Sequence, residues 1–317
     1  MSLVEVFDVT KQYANGEEKI TPLDGVSLHV EQGDFLSLMG ASGSGKSTLL
    51  NLITGQLRPT LGTVTVFGAR PFNNVDLFRR IGVCPEHEVL YANVTGLHWV
   101  RYLMELHGFN RREALAQAEQ ALDDVGMTEA MCRPIGGYSR GMRQRTKLAQ
   151  ALAHDPELLI LDEPLSGLDP VARMRMTQLL RRWVARGKGL LFASHMLHEV
   201  EAITESFLLI CGGRLLAAGT AEEVDLLLAE VPKEIRIRCD DAAKLAQQLV
   251  QEQDVDSIRF AGDGDVLIVS TRSPTHLYAQ LPAWTEGTGI RIRELQSTDE
   301  TLQRLIDSLL QIHRGAL

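Results

Sequence analysis

The chain has 317 residues, enough for about two domains, with 44% hydrophobic residues, 23% charged residues and a formal net charge of −9. That balance excludes a general nucleic-acid binder, and residues 231–317, also acidic in balance, do not form a basic arm. Cys84, Cys132, Cys211 and Cys239 stand far apart with no CxxC pair, which points away from a zinc site or disulfide framework and toward reduced cytosolic thiols. Met1–Glu5 lacks a signal-peptide pattern, and the longest apolar runs, such as Phe207–Cys211, fall far short of the roughly 20 residues a bilayer span needs.

Residues 3–9 alternate apolar and polar as a strand does, and Val26–Val30 repeat the pattern. Tyr13 lies between them; from position alone it reads as a surface aromatic packed on its neighbours. The apolar stretch Phe35–Met39 predicts a buried strand. It runs into Gly40-Ala41-Ser42-Gly43-Ser44-Gly45-Lys46-Ser47-Thr48, and Leu49–Ile53 then continue as a helix. Strand, glycine-rich turn and helix make a phosphate cradle. Glycines let backbone N–H groups point inward, and the helix N-terminus adds partial positive charge. In such a loop Lys46 reaches the outer phosphates and Ser47 holds a magnesium ion bridging them.

Arg58–Gly62 read as a turn, Thr63–Gly68 and Ile81–Cys84 as short strands, the latter ending at Pro85-Glu86. Thr95 is an expected N-cap for a helix carrying Leu97, Val100, Leu103, Met104 and His107 on one stripe. Leu115, Ala118, Leu122 and Val125 mark a second helix. Residues from about 86 to 136 thus read as a helical insertion in an α/β pattern. Tyr138–Arg145 open another helix, which Asp155-Pro156 end. Leu158–Leu161 form a continuous apolar run closed by Asp162 and Glu163, the pattern of a buried parallel strand delivering acids at its C-terminal edge. Two such carboxylates can merely solvate a strand end. Beside a phosphate loop, Asp162 reads as a magnesium ligand, direct or through water, and Glu163 as the group that polarises an attacking water. Leu165–Pro170 read as a turn and Met174–Val184 as a helix. Gly189–His195 form a further buried strand with a histidine at its end; a lone histidine there is more often structural than chemical, but on a strand neighbouring the carboxylates it could reach a terminal phosphate.

Assembled in order, these residues resemble the ATP-binding cassette (ABC) family of ATPases, over residues 3 to about 230. Gly40–Thr48 match its Walker A loop, Leu158–Glu163 Walker B with its glutamate, Ser166–Asp169 the D-loop and His195 the switch histidine. Tyr13 falls at the position of the adenine-stacking aromatic. Tyr138–Met142 match the family signature, usually Leu-Ser-Gly-Gly-Gln, with Arg140 replacing the first glycine and Met142 the glutamine; Ser139 and Gly141 are kept. Glu86 stands where most members have the Q-loop glutamine, a position beside the magnesium. Both departures are similar to those of a bacterial export branch.

The resemblance implies a P-loop NTPase cassette with a RecA-like α/β core, an antiparallel β subdomain and a helical subdomain at about 86–155. It implies ATP and Mg2+ as ligands and ATP hydrolysis with Lys46, Glu163 and His195 as catalytic residues. The nucleotide contacts it carries over are Tyr13, Gly40 through Thr48, Glu86, Ser139, Gly141 and Asp169; Ser47, Asp162 and Glu86 are its metal-side groups. It further implies a second cassette as dimer partner and an integral membrane permease, with the chain peripheral on the cytoplasmic face. Glu86–Met104, with apolar Val89, Leu90, Tyr91, Trp99 and Tyr102, is the expected permease contact, or else those aromatics pack internally. The rival is a soluble ABC ATPase that remodels an assembly, but the chain has one cassette and no sustained heptads. A poorly hydrolysing scaffold is a third class. Beyond about 230, Glu234–Cys239, Asp241–Gln251, Asp256–Phe260, Asp265–Ser270, Pro274–Leu281 and Ile290–Leu295 read β-α-β-β-α-β, a ferredoxin-like accessory domain at 231–317. A last helix is expected at Thr298–Leu310.

Overall fold

The computed structural model describes residues 2–15, 18–87, 90–196, 206–220, 233–252, 254–262 and 264–297. It divides into two compact units, Met1–Thr220 and Ala221–Leu317.

In the first unit β1 (Ser2–Asn15) and β2 (Glu18–Glu31) form an antiparallel ribbon. β3 (Phe35–Met39) leads through the glycine loop into α1 (Lys46–Ile53). β4 (Leu61–Val66) then pairs with β1 to complete a three-stranded sheet of order β2-β1-β4. The sequence placed this strand two residues later. Leu61 and Gly62 belong to it because Leu61 pairs with Thr10 and Gly62 sits against the Asp8 carbonyl, where a Cβ would come within 2.2 Å; Phe67 and Gly68 instead turn, both at positive φ.

After α2 (Val75–Phe78) comes β5 (Ile81–Cys84). Three helices follow, each with the cap its sequence provides. Thr95 caps α3 (Gly96–Leu106) and accepts from His98 N. Asn110 and Glu113 make a reciprocal capping box on α4 (Arg111–Asp124). Ser139 caps α5 (Arg140–Leu152), accepting from Met142 N. The three pack on one another. β6 (Leu158–Asp162) and β7 (Gly189–Ser194) are buried at every residue, as parallel strands covered on both faces must be. Between them α6 (Pro170–Val184) starts four residues before the expected Met174, because Asp169 accepts from Ala172 N and Pro170 occupies the first helical position. β8 (Ser206–Cys211) and β9 (Arg214–Thr220) close a six-stranded sheet of order β5-β6-β7-β3-β8-β9, parallel except for the β8–β9 pair. One core of Val and Leu from both sheets, with Leu49, Leu52 and Ile53 of α1, joins them.

The second unit holds β10 (Lys233–Cys239), α7 (Ala242–Leu249), β11 (Val255–Ala261), β12 (Val266–Thr271), α8 (Pro274–Thr288) and β13 (Ile292–Ser297). Its antiparallel sheet has the order β11-β12-β10-β13. Each βαβ unit is split by a strand of the other, which is the ferredoxin-like arrangement read from the sequence. α8 runs past Pro282, where the sequence reading stopped; the helix closes instead at Gly289, whose φ of 73° suits glycine. Residues 298–310, Val231-Pro232 and Val89 lie outside the described residues.

Candidate active site

Four parallel strands end at one edge, and each delivers part of the site there: the loop after β3, Glu86 after β5, Asp162 and Glu163 at the end of β6, and His195 after β7. A cavity of about 500 Å³ is lined by loop residues Ser42, Gly43, Gly45, Lys46, Ser47 and Thr48 together with Glu86, Asp162, Glu163 and His195. Position at the C-terminal edge of a parallel sheet is where such folds place ligands.

The loop needs its glycines for different reasons. A Cβ on Gly40 would meet the Ile210 carbonyl at 2.4 Å, and one on Gly45 the Pro22 carbonyl at 2.4 Å, with Gly45 also at φ 110°. Gly43, at φ 78°, faces open space. Gly45 is the N-cap of α1 and has no side chain to occupy the first-turn N–H groups, which suits an anion at that helix end. The Lys46 Nζ donates to the Gly40 and Ala41 carbonyls at 2.7 and 3.1 Å. Lys46 is only 7% exposed. Burial pushes its ammonium below the ordinary lysine value, and Glu163, Asp162 and Glu86 oppose that shift.

Successive residues of an extended strand face opposite sides, yet Asp162 and Glu163 line the same cavity. The reason is that β6 ends at Asp162 and Glu163 turns into the left-handed region, at φ 49°. Its N–H is pinned to the Ala193 carbonyl at 2.9 Å, and its carbonyl accepts from Ser166 N and from Gln144 Nε2, both at 3.2 Å. A non-glycine residue held there depends on such neighbours. His195 Nδ1 lies 2.8 Å from Glu163 Oε1. Burial raises the Glu163 carboxyl above the usual glutamate value, against the hydrogen bond from His195. Burial likewise raises Asp162, against its hydrogen bond with Ser47. The second Asp162 oxygen, Oδ1, is buried with no hydrogen-bond partner.

Other predicted residues stand apart from this cavity. Ser139 and Gly141 open α5, and Asp169 caps α6; none of the three lines it. Tyr13 is 39% exposed on β1 with the Lys11 ammonium 4.9 Å from its ring centre. Three supports were missed by the sequence reading. Pro22 lines the cavity and packs its carbonyl on Gly45. Gln144 holds the Glu163 and Pro164 carbonyls. Lys147, 4% exposed, donates to the Pro85 and Glu86 carbonyls, both at 2.8 Å. The available signal was Gln144, Lys147, Leu148 and Ala151 at helical spacing on one face of α5, polar residues on a stripe otherwise apolar.

The ABC transporter model of protein families matches residues 23–166. NatA, an ABC transporter ATP-binding protein of Bacillus subtilis, is 32% identical over 227 residues, covering 70% of this chain and 91% of that protein. The bacitracin transport ATP-binding protein BcrA of Bacillus licheniformis is 31% identical over 273 residues and covers 85% of both chains. This chain belongs to the ABC transporter ATP-binding family. Among solved ABC cassettes, a dimeric post-hydrolysis state of MJ0796 bound to ADP and Pi aligns with a TM-score of 0.64 at 28% identity, covering 68% of this chain and 98% of that one. The protein is therefore an ATP-binding, ATP-hydrolysing subunit of an ABC transporter, and its first unit is an ABC cassette. No helix among the described residues is long and apolar enough to cross a membrane.

Proposed function

We propose that the chain is the motor subunit of a bacterial ABC exporter, working as one half of a head-to-tail pair of cassettes on a separately encoded permease. The observation that carries this reading is the split site. Lys46, Ser47, Asp162, Glu163 and His195 share one cavity, while Ser139 and Gly141 do not line it. A helix N-terminus capped by Ser139 suits a phosphate, so the signature turn serves the ATP of a partner cassette. The dimeric state of the related MJ0796 cassette supports that arrangement.

In this reading the loop N–H groups and Lys46 bind the β- and γ-phosphates. Glu163, whose charged form burial disfavours and the hydrogen bond from His195 favours, accepts a proton from the attacking water, and His195 orients that carboxylate. A magnesium ion fits the residues present, since Asp162 offers a buried oxygen without a partner beside the Ser47 hydroxyl. Magnesium takes oxygen ligands and keeps several waters, so it needs only one or two side-chain oxygens from the protein. Ser47 and Asp162 would hold such an ion, with Glu86 lining the same cavity, and it would supply charge neutralisation on the phosphates. Adenine stacks on Tyr13, and Asp169 sets the D-loop toward the partner. Tyr91 and Tyr102, exposed at 69% and 54%, belong to the surface offered to the permease, which would hold the subunit on the cytoplasmic face of the membrane. The cassette extends to about residue 230 and the ferredoxin-like domain follows it.

The decisive measurement is gel filtration of Glu163→Gln with and without ATP. A stable ATP-dependent dimer with turnover nearly abolished is expected; turnover at the native rate would remove Glu163 from the reaction.

A further inference from the structure

The signature departs from the family pattern at Arg140, and the structure gives that side chain a definite place. Arg140 Nη2 donates to Ser166 Oγ at 2.9 Å. Its stem lies flat on Gly167, where an added Cβ would come within 2.6 Å of Nε, 2.8 Å of Cδ and 2.9 Å of Cγ. Gly167 has φ 75°, so the turn favours glycine there, and its missing Cβ leaves room for the Arg140 stem. Ser166 in turn donates its N–H to the Glu163 carbonyl at 3.2 Å. Arg140, Glu163 and Ser166 line one cavity of about 250 Å³ with Glu86 and Lys147. Two hydrogen bonds therefore lead from the first residue of α5 to the backbone of the water-polarising glutamate. A glycine at position 140 has no side chain to make the first of them.

We propose that Arg140 is a positioning residue that ties the signature turn to the Glu163 backbone of its own subunit. Glu163 sits at φ 49°, a conformation maintained by its neighbours. A shift of the α5 N-terminus is passed through Arg140 and Ser166 to that backbone. This proposal rests on the composite-site reading above: the signature turn meets the partner's ATP while Glu163 acts on the subunit's own. The link therefore makes turnover at one ATP depend on occupancy of the other.

The test is steady-state ATP hydrolysis by the full chain across ATP concentrations, for Arg140→Ala, Arg140→Lys, Ser166→Ala and the Arg140→Ala/Ser166→Ala double variant. Arg140→Ala and Ser166→Ala are each expected to lower kcat roughly tenfold, with the double variant no worse than either single one. The Hill coefficient should fall toward one, half-saturating ATP should move less than about twofold, and Arg140→Lys should recover part of the loss. Additive losses, or an unchanged Hill coefficient with a lowered kcat, would overturn the proposal. So would a large rise in half-saturating ATP for Arg140→Ala alone, which would make Arg140 a direct phosphate contact. Gel filtration separates the two layers. If Glu163→Gln and Arg140→Ala/Glu163→Gln both dimerise with ATP, the composite site stands and the kinetics judge Arg140. If Glu163→Gln stays monomeric with ATP, the composite-site reading itself falls, and the proposal with it.

Discussion

At the scale of single residues, the site depends on backbone positions as much as on charged groups. Gly43 and Gly45 are both left-handed, but only Gly45 faces a carbonyl that a methyl group would strike. Gly45→Ala is expected to cost more than about 2 kcal/mol and to abolish nucleotide binding, whereas Gly43→Ala costs only the left-handed penalty of about 1–2 kcal/mol. Urea unfolding and a fluorescent ATP analogue check both halves of that contrast. Lys46→Ala removes a buried ammonium facing three carboxylates, so ATP affinity should be lost; unchanged affinity would contradict the phosphate-loop role. Residue type and spacing singled out Lys46, Ser47, Asp162 and Glu163 in the sequence, and His195 stood out only through the family resemblance; the fold brings all five to one cavity. Lys147 and Gln144 were not legible there, because nothing in a helix sequence says which carbonyls its buried polar side chains will meet.

Among the elements, α5 carries more than the signature. Lys147→Met would strip two carbonyls before and at Glu86 of their donor. The expected loss is about 2–4 kcal/mol in stability, together with slower ATP hydrolysis as Glu86 moves; a normal rate would show that Glu86 needs no such support. Where α5 ends, His154 stacks on His107, the C-cap of α3, with ring centres 4.1 Å apart, and His154 Nε2 lies 3.1 Å from the Ile81 carbonyl. Burial, with help from His107 and Lys188, lowers His154 from 6.5 to about 4, against the Ile81 carbonyl and Asp155. Burial and Arg79 lower His107 as well. A depressed histidine means the fold prefers the neutral ring. Its contribution is complete above pH 6.5 and is lost as pH falls from there toward 4. Relative to His154→Gln, the native chain should therefore lose about 2–3 kcal/mol across that window in denaturant titrations. Equal pH dependence of the two proteins would count against the buried neutral stack.

Across the whole molecule, every residue assigned to the nucleotide lies in the first unit, and the second has its own core of Ile235, Ile237, Leu245, Leu249, Leu267 and Val269. Residues 1–230 alone are thus expected to bind ATP with affinity within about twofold of the full chain by calorimetry, since contacts outside a site change its affinity little. A larger loss would give the second unit a part in the nucleotide site. The alternation of β10 to β13 and the two intervening helices identified this second unit as ferredoxin-like, because the order of elements constrains a small sheet strongly. Its helix boundary at Pro282 was misjudged for a local reason: one proline removes one helix hydrogen bond, and the rest of α8 tolerates the gap. In the cassette, apolar runs and glycine spacing determined the buried strands and the phosphate loop, since burial and left-handed turns demand those residue types wherever they fall. Only the tertiary structure decided that Glu163 leaves the strand to share a cavity with Asp162, and that Arg140 reaches Ser166. Both depend on which distant backbone lies alongside, and that is a property of the packed strands and helices, not of any local stretch of chain.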